Sequence, residues 1–334
     1  MITGEVGVLQ QLQRTALAEL RDIGLEAPFC LLDFPNHPNV GDSAIWLGTT
    51  TYLREHRGTE PRYVASLRAF SEAALRASVP EGPIVIHGGG NFGDLWPRHH
   101  GFREHLLERF PDRAIIQLPQ SIHFGHPEHA ARTARAIARH GRFRLFVRDQ
   151  ASYEFATANF DCEVRLCPDM AFFLGALDRP GTPEVDVCYL MRTDKERVLG
   201  APTGPPDYTS RVVDWLRESR LSVQAHKLLA VARGLRGGRL DRFAIRNAWY
   251  DAVARARMAR GCRLLSSGRV VITDRLHAHI LSLLLGIPHA VLDNSYGKLR
   301  RFLDAWTGDA AGVYRASSIE DAERWAASVL SGAR

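Results

Sequence analysis

The chain has 334 residues, 45% of them hydrophobic, and a formal charge of +6 at neutral pH, enough for two domains of ordinary size with real cores. Five cysteines, Cys30, Cys162, Cys167, Cys188 and Cys262, include no C-x-x-C pair. That argues against a disulfide framework or a zinc site and for a reducing compartment.

The opening "MITGEVGVLQQLQRTALAELRDIG" lacks the basic start and continuous apolar core of a signal peptide; Leu9, Leu12, Ala16, Leu20 and Ile23 mark an amphipathic helix instead. No run reaches transmembrane length, so the expectation is a cytoplasmic protein, soluble or peripheral at the inner face of a membrane. Short apolar runs then alternate with helical patterns. "FCLLDF", "RYVAS", "PIVIHGG", "AIIQLP", "RLFVRD" and "CEVRLC" are strand candidates, and "SAIWLGTTTYLREH" and "PEHAARTARAIARHG" carry helical periodicity. Such alternation predicts a parallel sheet wrapped by helices. "GALDRPGTPEVD" collects glycine, proline and charge and marks a linker, dividing the chain into residues 1–176 and 177–334.

Beyond the linker, "VDVCYLM", "RVVIT" and "HAVLD" are strands of a second unit, and "YGKLRRFLDAW" and "SIEDAERWAASVL" are closing helices. The fold class expected is α/β, two Rossmann-like domains facing across a cleft that holds the active site. Between His226 and Arg260, Lys227 and eight arginines face only Asp241 and Asp251, a net +7. That patch suits nucleic acid, an anionic membrane or an anionic substrate, and equally a solvated face.

Polar residues gather where strands give way to helices. "FPNHPNVGDSAI" places Asn39, Gly41 and Asp42 before a helix; "VIHGGGNFGDLW" places Gly88, Gly89, Gly90 and Asn91 after a strand. Glycines there let successive N–H groups cradle an anion, although a plain tight turn uses the same residues and the dinucleotide spacing is only partly met. "FVRDQAS" adds Arg148 and Asp149, which could simply pair with each other. "ITDRLHAH" adds Asp274, Arg275 and His277 at a helix start, where Asp274 could merely cap the helix. Arg192 in "YLMRTDKE" and Lys298 in "NSYGKLRRF" supply further cations.

In a doubly wound domain the carboxyl ends of the strands share one edge. Asp42, Asn91 and Arg148 should therefore converge, opposite Arg192, Arg275, His277 and Lys298. There is no G-x-S-x-G elbow, no P-loop and no metal-ligand spacing. Arginines beside a helix N-terminus suit a small ligand carrying phosphate and carboxylate.

The ordered set "NVGDSAI", "IHGGGNFGD", "LPQSI", "VRDQASYEF", "CPDMAF", "RTDKE" and "TDRLHAHILSLLLGIP", spanning Leu31 to Trp306, resembles the polysaccharide pyruvyl transferase family. The resemblance implies the two-domain GT-B scaffold and transfer of the pyruvyl group of phosphoenolpyruvate to sugar hydroxyls of a polysaccharide or lipid-linked oligosaccharide. The implied product is a cyclic ketal, with phosphate released and phosphoenolpyruvate as co-substrate rather than any bound cofactor. It puts Arg275, Leu276 and His277 in the donor site, with Arg148, Arg192 and Lys298 as further donor-binding candidates.

His277 is then the general acid and Asp42 the base that activates the hydroxyl. Asn39, Gly88, Gly89, Gly90 and Asn91 are assigned to the acceptor side or a backbone cradle. His279 lies roughly 200° round the helix from His277 and is placed outside the site. His37, His87, His99, His100 and His123 receive no role. Trp96 suits stacking on a sugar ring, though a buried packing role carries more weight. The alternatives kept open are a nucleotide-sugar glycosyltransferase on the same scaffold and a non-catalytic nucleic-acid binder using the arginine-rich segment.

Overall fold

The computed structural model describes residues 3–192, 207–218, 242–293 and 297–332 and the isolated positions 225, 228, 229 and 232; of residues 3–6, Arg242 and Lys298 only the backbone is described. The strand-like runs form two separate sheets in which every pairing is parallel. The first contains β1 (Cys30–Leu32), β2 (Tyr63–Ala65), β3 (Ile84–Ile86), β4 (Gly89–Phe92), β5 (Ile115–Ile122), β6 (Phe143–Val147) and β7 (Glu163–Leu166), in the order β2-β1-β3-β5-β6-β7 with β4 also on β5. The second contains β8 (Val185–Leu190), β9 (Ser210–Val213), β10 (Gly268–Thr273), β11 (His289–Leu292) and β12 (Val313–Ala316), in the order β12-β11-β10-β8-β9. The strand interiors read as continuous apolar runs because helices cover both faces of the sheets.

Helices α1 (Thr3–Glu19), α2 (Val40–Thr51), α3 (Glu72–Ser78), α4 (Pro97–Arg109), α5 (Pro127–His140) and α6 (Gln150–Asn159) belong to the first half. The second half has α7 (Arg242–Ser266), α8 (Leu276–Leu284), α9 (Lys298–Phe302) and α10 (Ile319–Gly332). Two helical patterns continue as π-helical turns, Tyr52–His56 after α2 and Leu303–Thr307 after α9. No described helix is long and apolar enough to cross a membrane. The five cysteines are unbridged.

Each sheet turns back on itself at its first strand. From β1 the chain goes to β2 on one side and then to β3 on the other, and from β8 to β9 and then to β10. Crevices at such switch points, outside the carboxyl ends of the strands, are where open α/β sheets bind ligands. The two crevices face each other because α7 lies across α2 and one core runs through both halves, from Leu31, Ile45 and Trp46 to Tyr250, Val253, Leu281 and Leu284. The contact is specific as well as apolar: Phe34 stacks on Tyr250 with ring centroids 3.8 Å apart, and the Trp46 indole donates to Asp251 Oδ1 at 2.8 Å. Gly48 abuts the Met170 carbonyl and Gly261 abuts Val40, so α2 is gripped on two sides where any side chain would collide.

Candidate active site

Between the two switch points lies a cavity of about 410 Å³. The first half contributes His37, Asn39, Asp42, Gly90, Asn91, Trp96, His99 and Arg148, and the second Arg192, Trp215, Arg275, Leu276 and His277. Sequence expectation had the two groups on opposite lips, and both reach this one cavity.

The α2 end is built by Asn39, which caps the helix: its Oδ1 accepts from Gly41 N–H at 3.1 Å and its Nδ2 donates to Asp42 Oδ2 at 2.8 Å. Asp42 is thereby held in the first turn with His37 Nε2 3.6 Å from its carboxylate. Burial alone pushes the Asp42 carboxyl up, but His37, His277, His87 and Arg148 together hold it below its ordinary value. It is ionised at neutral pH, as a proton acceptor must be. Gly41 is required for another reason: a Cβ there would stand 2.5 Å from Cγ and Nδ1 of His277, so the imidazole rests directly on the α2 backbone.

The glycine run is less of a loop than its sequence suggests. Gly89, with φ of +136°, opens β4, and Gly88 lies against the Pro119 carbonyl; neither borders the cavity, whereas Gly90 and Asn91 do. Asn91 is fixed from beneath: Gln120 Nε2 donates to its Oδ1 at 3.0 Å, and the buried Arg103 donates to its carbonyl at 3.0 Å and to Oδ1.

Arg148 does not pair with Asp149. Asp149 instead caps α6, accepting from Ser152 N–H at 2.9 Å, while Arg148 donates through Nε to Ser121 at 3.0 Å and through Nη1 to Asp169 Oδ2 at 2.6 Å. Asp169 is fully buried and also stands 3.5 Å from His277 Nε2. Burial by itself raises its carboxyl, but His277, Arg148 and the Ala171 N–H hold it well below the usual carboxylate range.

On the second half, Arg275 is the cap residue of α8, and Asp274 does not cap it; Asp274 Oδ1 accepts the Arg192 N–H at 2.8 Å, tying the end of β8 to the end of β10. Burial raises the Asp274 carboxyl. The Arg275 side chain is 3% exposed, donates through Nη2 to Asp214 at 2.9 and 3.1 Å, and lies over the Trp215 ring at 5.8 Å. It is therefore neither solvated nor detached. Leu276 gives the cavity an apolar wall. Lys298 opens α9, and its side chain lies outside the described residues.

His279 faces away: its Nδ1 is 2.7 Å from His289 Nε2 and its Nε2 is 2.8 Å from Thr307 Oγ1, so both ring nitrogens are engaged in the core. Trp96 is 38% exposed and borders the cavity, so the buried packing role expected of it does not hold. His99, given no role from sequence, borders the cavity with Nδ1 3.0 Å from both oxygens of the buried Asp33. Asp33 itself has φ of +66°, an uncommon conformation for a side-chain-bearing residue, immediately after β1. Asp214 and Trp215 were also missed. They follow β9, a short and largely exposed strand, and the available signal was their place at its carboxyl end.

The arginine-rich segment is partly structural. Buried Arg257 holds Glu218 bidentately at 2.7 and 2.9 Å and donates to the Pro35 carbonyl at 2.9 Å; Arg260 donates to the Pro38 and Trp215 carbonyls, both at 2.7 Å. These two residues strap the loop before α2 to the turn that holds Arg275, and they are not a solvated face. Arg233, Arg236 and Arg239 lie outside the described residues. Among the described residues no group of His, Cys, Asp and Glu has the arrangement of a metal site.

Two parallel sheets meeting at their switch points around arginines, histidines and a carboxylate define a two-domain α/β protein with a polar cleft between its sheets. Residues 39–296 match the model of the family described as polysaccharide pyruvyl transferase, and the chain belongs to that family. Pyruvyl transferase 1 of Schizosaccharomyces pombe is 36% identical over 290 residues, 83% of this chain and 69% of that protein. EpsO, a candidate pyruvyl transferase of Bacillus subtilis, is 34% identical over 277 residues, 82% of this chain and 84% of that protein. An uncharacterized Klebsiella pneumoniae protein of known structure shares the fold, with a TM-score of 0.57 at 18% identity over 95% of this chain and 100% of that one.

Proposed function

We propose that this pyruvyl transferase takes its pyruvyl group from phosphoenolpyruvate and places it on two hydroxyls of a polysaccharide or lipid-linked oligosaccharide, releasing phosphate. The observation that carries the reading is the cavity between the switch points, which Arg148, Arg192, Arg275, His277 and Asp42 all line. Three guanidinium groups suit a donor with a phosphate and a carboxylate. The scaffold is read as GT-B-like, with residues 1–176 serving the acceptor and 177–334 the donor.

Protonation of the methylene carbon by His277 leaves positive charge on the carbon bearing the phosphate ester. A sugar hydroxyl adds there as Asp42 takes its proton, and a second hydroxyl then displaces phosphate, closing the ketal. The two hydroxyl protons balance the one gained by the methyl group and the one that leaves with phosphate. Asn39, Gly90 and Asn91 border the acceptor side, with Gly88 and Gly89 shaping the strand behind them. Lys298 is kept as a donor-side cation. The chemistry needs no resident cofactor and no nucleic acid.

A lipid-linked acceptor would bring the protein to the anionic inner face of a membrane from the cytoplasm. Phosphoenolpyruvate should raise the unfolding temperature while nucleotide sugars leave it unchanged, and phosphate should be released from phosphoenolpyruvate in the presence of a suitable glycan. Stabilisation by a nucleotide sugar with none from phosphoenolpyruvate would replace this reading with glycosyl transfer.

A further inference from the structure

We infer that Asp169 is a positioning residue for His277, fixing the orientation and the tautomer of its imidazole, an inference that rests on the acid role proposed for His277. Asp169 follows β7 and caps the short 3₁₀ turn Met170–Leu174, its Oδ1 accepting the Ala171 N–H at 2.8 Å. That bond commits one oxygen to the fold and turns the other, Oδ2, toward Arg148 Nη1 at 2.6 Å and His277 Nε2 at 3.5 Å. The carboxylate is wholly buried, so its charge acts on the imidazole with little screening by water.

The imidazole is held from a second side as well. Gly41 lies against Cγ and Nδ1 of the ring, so the ring is packed between the α2 backbone and Asp169. Among the described residues Nε2 is buried and makes no hydrogen bond, and the carboxylate that faces it, 3.5 Å away, is that of Asp169. With Nε2–H directed to that carboxylate, Nδ1 is the nitrogen that exchanges a proton with the substrate.

The other ionisable groups around the ring divide in sign. Among the described residues, Asp42 on α2 is negative, Arg148 after β6, Arg192 after β8 and Arg275 at the start of α8 are positive, and His87 after β3 and His279 on α8 are kept from protonating by burial. Arg148 is itself neutralised by Asp169. Removing Asp169 therefore both deprives His277 of its partner and leaves the Arg148 charge uncompensated beside it, and each change disfavours the imidazolium.

The test is Asp169→Asn, which keeps the size of the side chain and an oxygen for Ala171. The alkaline limb of kcat for phosphate release from phosphoenolpyruvate should move to lower pH by about one unit, so turnover on that limb falls roughly tenfold, with KM for the donor changing less. Nitrogen-15 NMR of the labelled histidines, with His277→Gln for assignment, should show the titration of His277 moving in the same direction. The same spectrum of the unaltered protein should show neutral His277 with its proton on Nε2, a measurement independent of how well the variant folds.

An unmoved His277 titration in folded Asp169→Asn, or an Nδ1–H tautomer in the unaltered protein, overturns the assignment. Absence of phosphate release by the unaltered protein with every glycan would overturn the donor reading instead, while the NMR result would still decide the role of Asp169.

Discussion

Replacing Gly41 with alanine tests the contact on which the two halves of the site meet. The added methyl would sit 2.5 Å from Cγ and Nδ1 of His277 and 2.6 Å from its Cβ. Carbon atoms in contact settle at about 3.5–4.0 Å, so the N-termini of α2 and α8 must separate by about 1 Å. Turning the ring cannot relieve the clash, because the His277 Cβ is among the colliding atoms and moves only with the backbone. Overpacking of this kind costs about 1–3 kcal/mol, and a displacement of about 1 Å at a reacting group costs on the order of 10²-fold in rate.

Thermal unfolding measured beside phosphate release should therefore show a lowered midpoint and a kcat reduced on the order of a hundredfold. Adding His277→Ala to the Gly41→Ala protein should fail to restore the midpoint, since alanine retains the Cβ. Wild-type turnover and an unchanged midpoint for Gly41→Ala would refute the packing argument.

Arg275→Ala should weaken calorimetric binding of phosphoenolpyruvate by about 1.5–3 kcal/mol per charge-assisted bond lost, and should also lower the unfolding midpoint because Asp214 is left without this partner. His277→Gln should bind the donor nearly as well yet lose turnover by ~10²–10⁴-fold; near-normal turnover would remove the histidine from the mechanism. Burial pushes His87 and His289 down to about 4, so they bind protons less readily folded than unfolded. Their contribution is intact above the unfolded value of 6.5 and is lost as pH falls toward 4, roughly 3 kcal/mol for each histidine by about 1.36 kcal/mol per unit. Denaturant titrations between these limits should show that decline, and a flat profile would contradict it. Trp96→Ala should raise KM for the glycan while leaving donor binding unchanged, and a selective loss of donor affinity would move Trp96 out of the acceptor side.

The alternation of short apolar runs with amphipathic helices was enough to show two parallel sheets, because a strand buried on both faces must be apolar throughout and a covering helix must be amphipathic. Polar residues at the ends of β1, β3, β6, β8 and β10 could likewise be read as site residues, since parallel strands bring those ends to one edge. Strands β4, β9 and β12 escaped notice: β4 begins in glycines, and β9 and β12 lie at the ends of their sheet, where half-exposed residues carry little apolar signal.

Pairing was the part that only the tertiary structure decided. Arg148 is next to Asp149 in the chain but bonds to Asp169, Arg275 bonds to Asp214 across 61 positions, and Arg257 reaches Pro35 across 222. A count of arginines gives net charge but not which ones are buried against partners, so the basic segment could not be divided into strap and surface. The same holds for Gly41. Its place at a helix start was visible in the sequence, whereas the imidazole it must make room for arrives from the other half of the molecule, and only folding brings the two into contact.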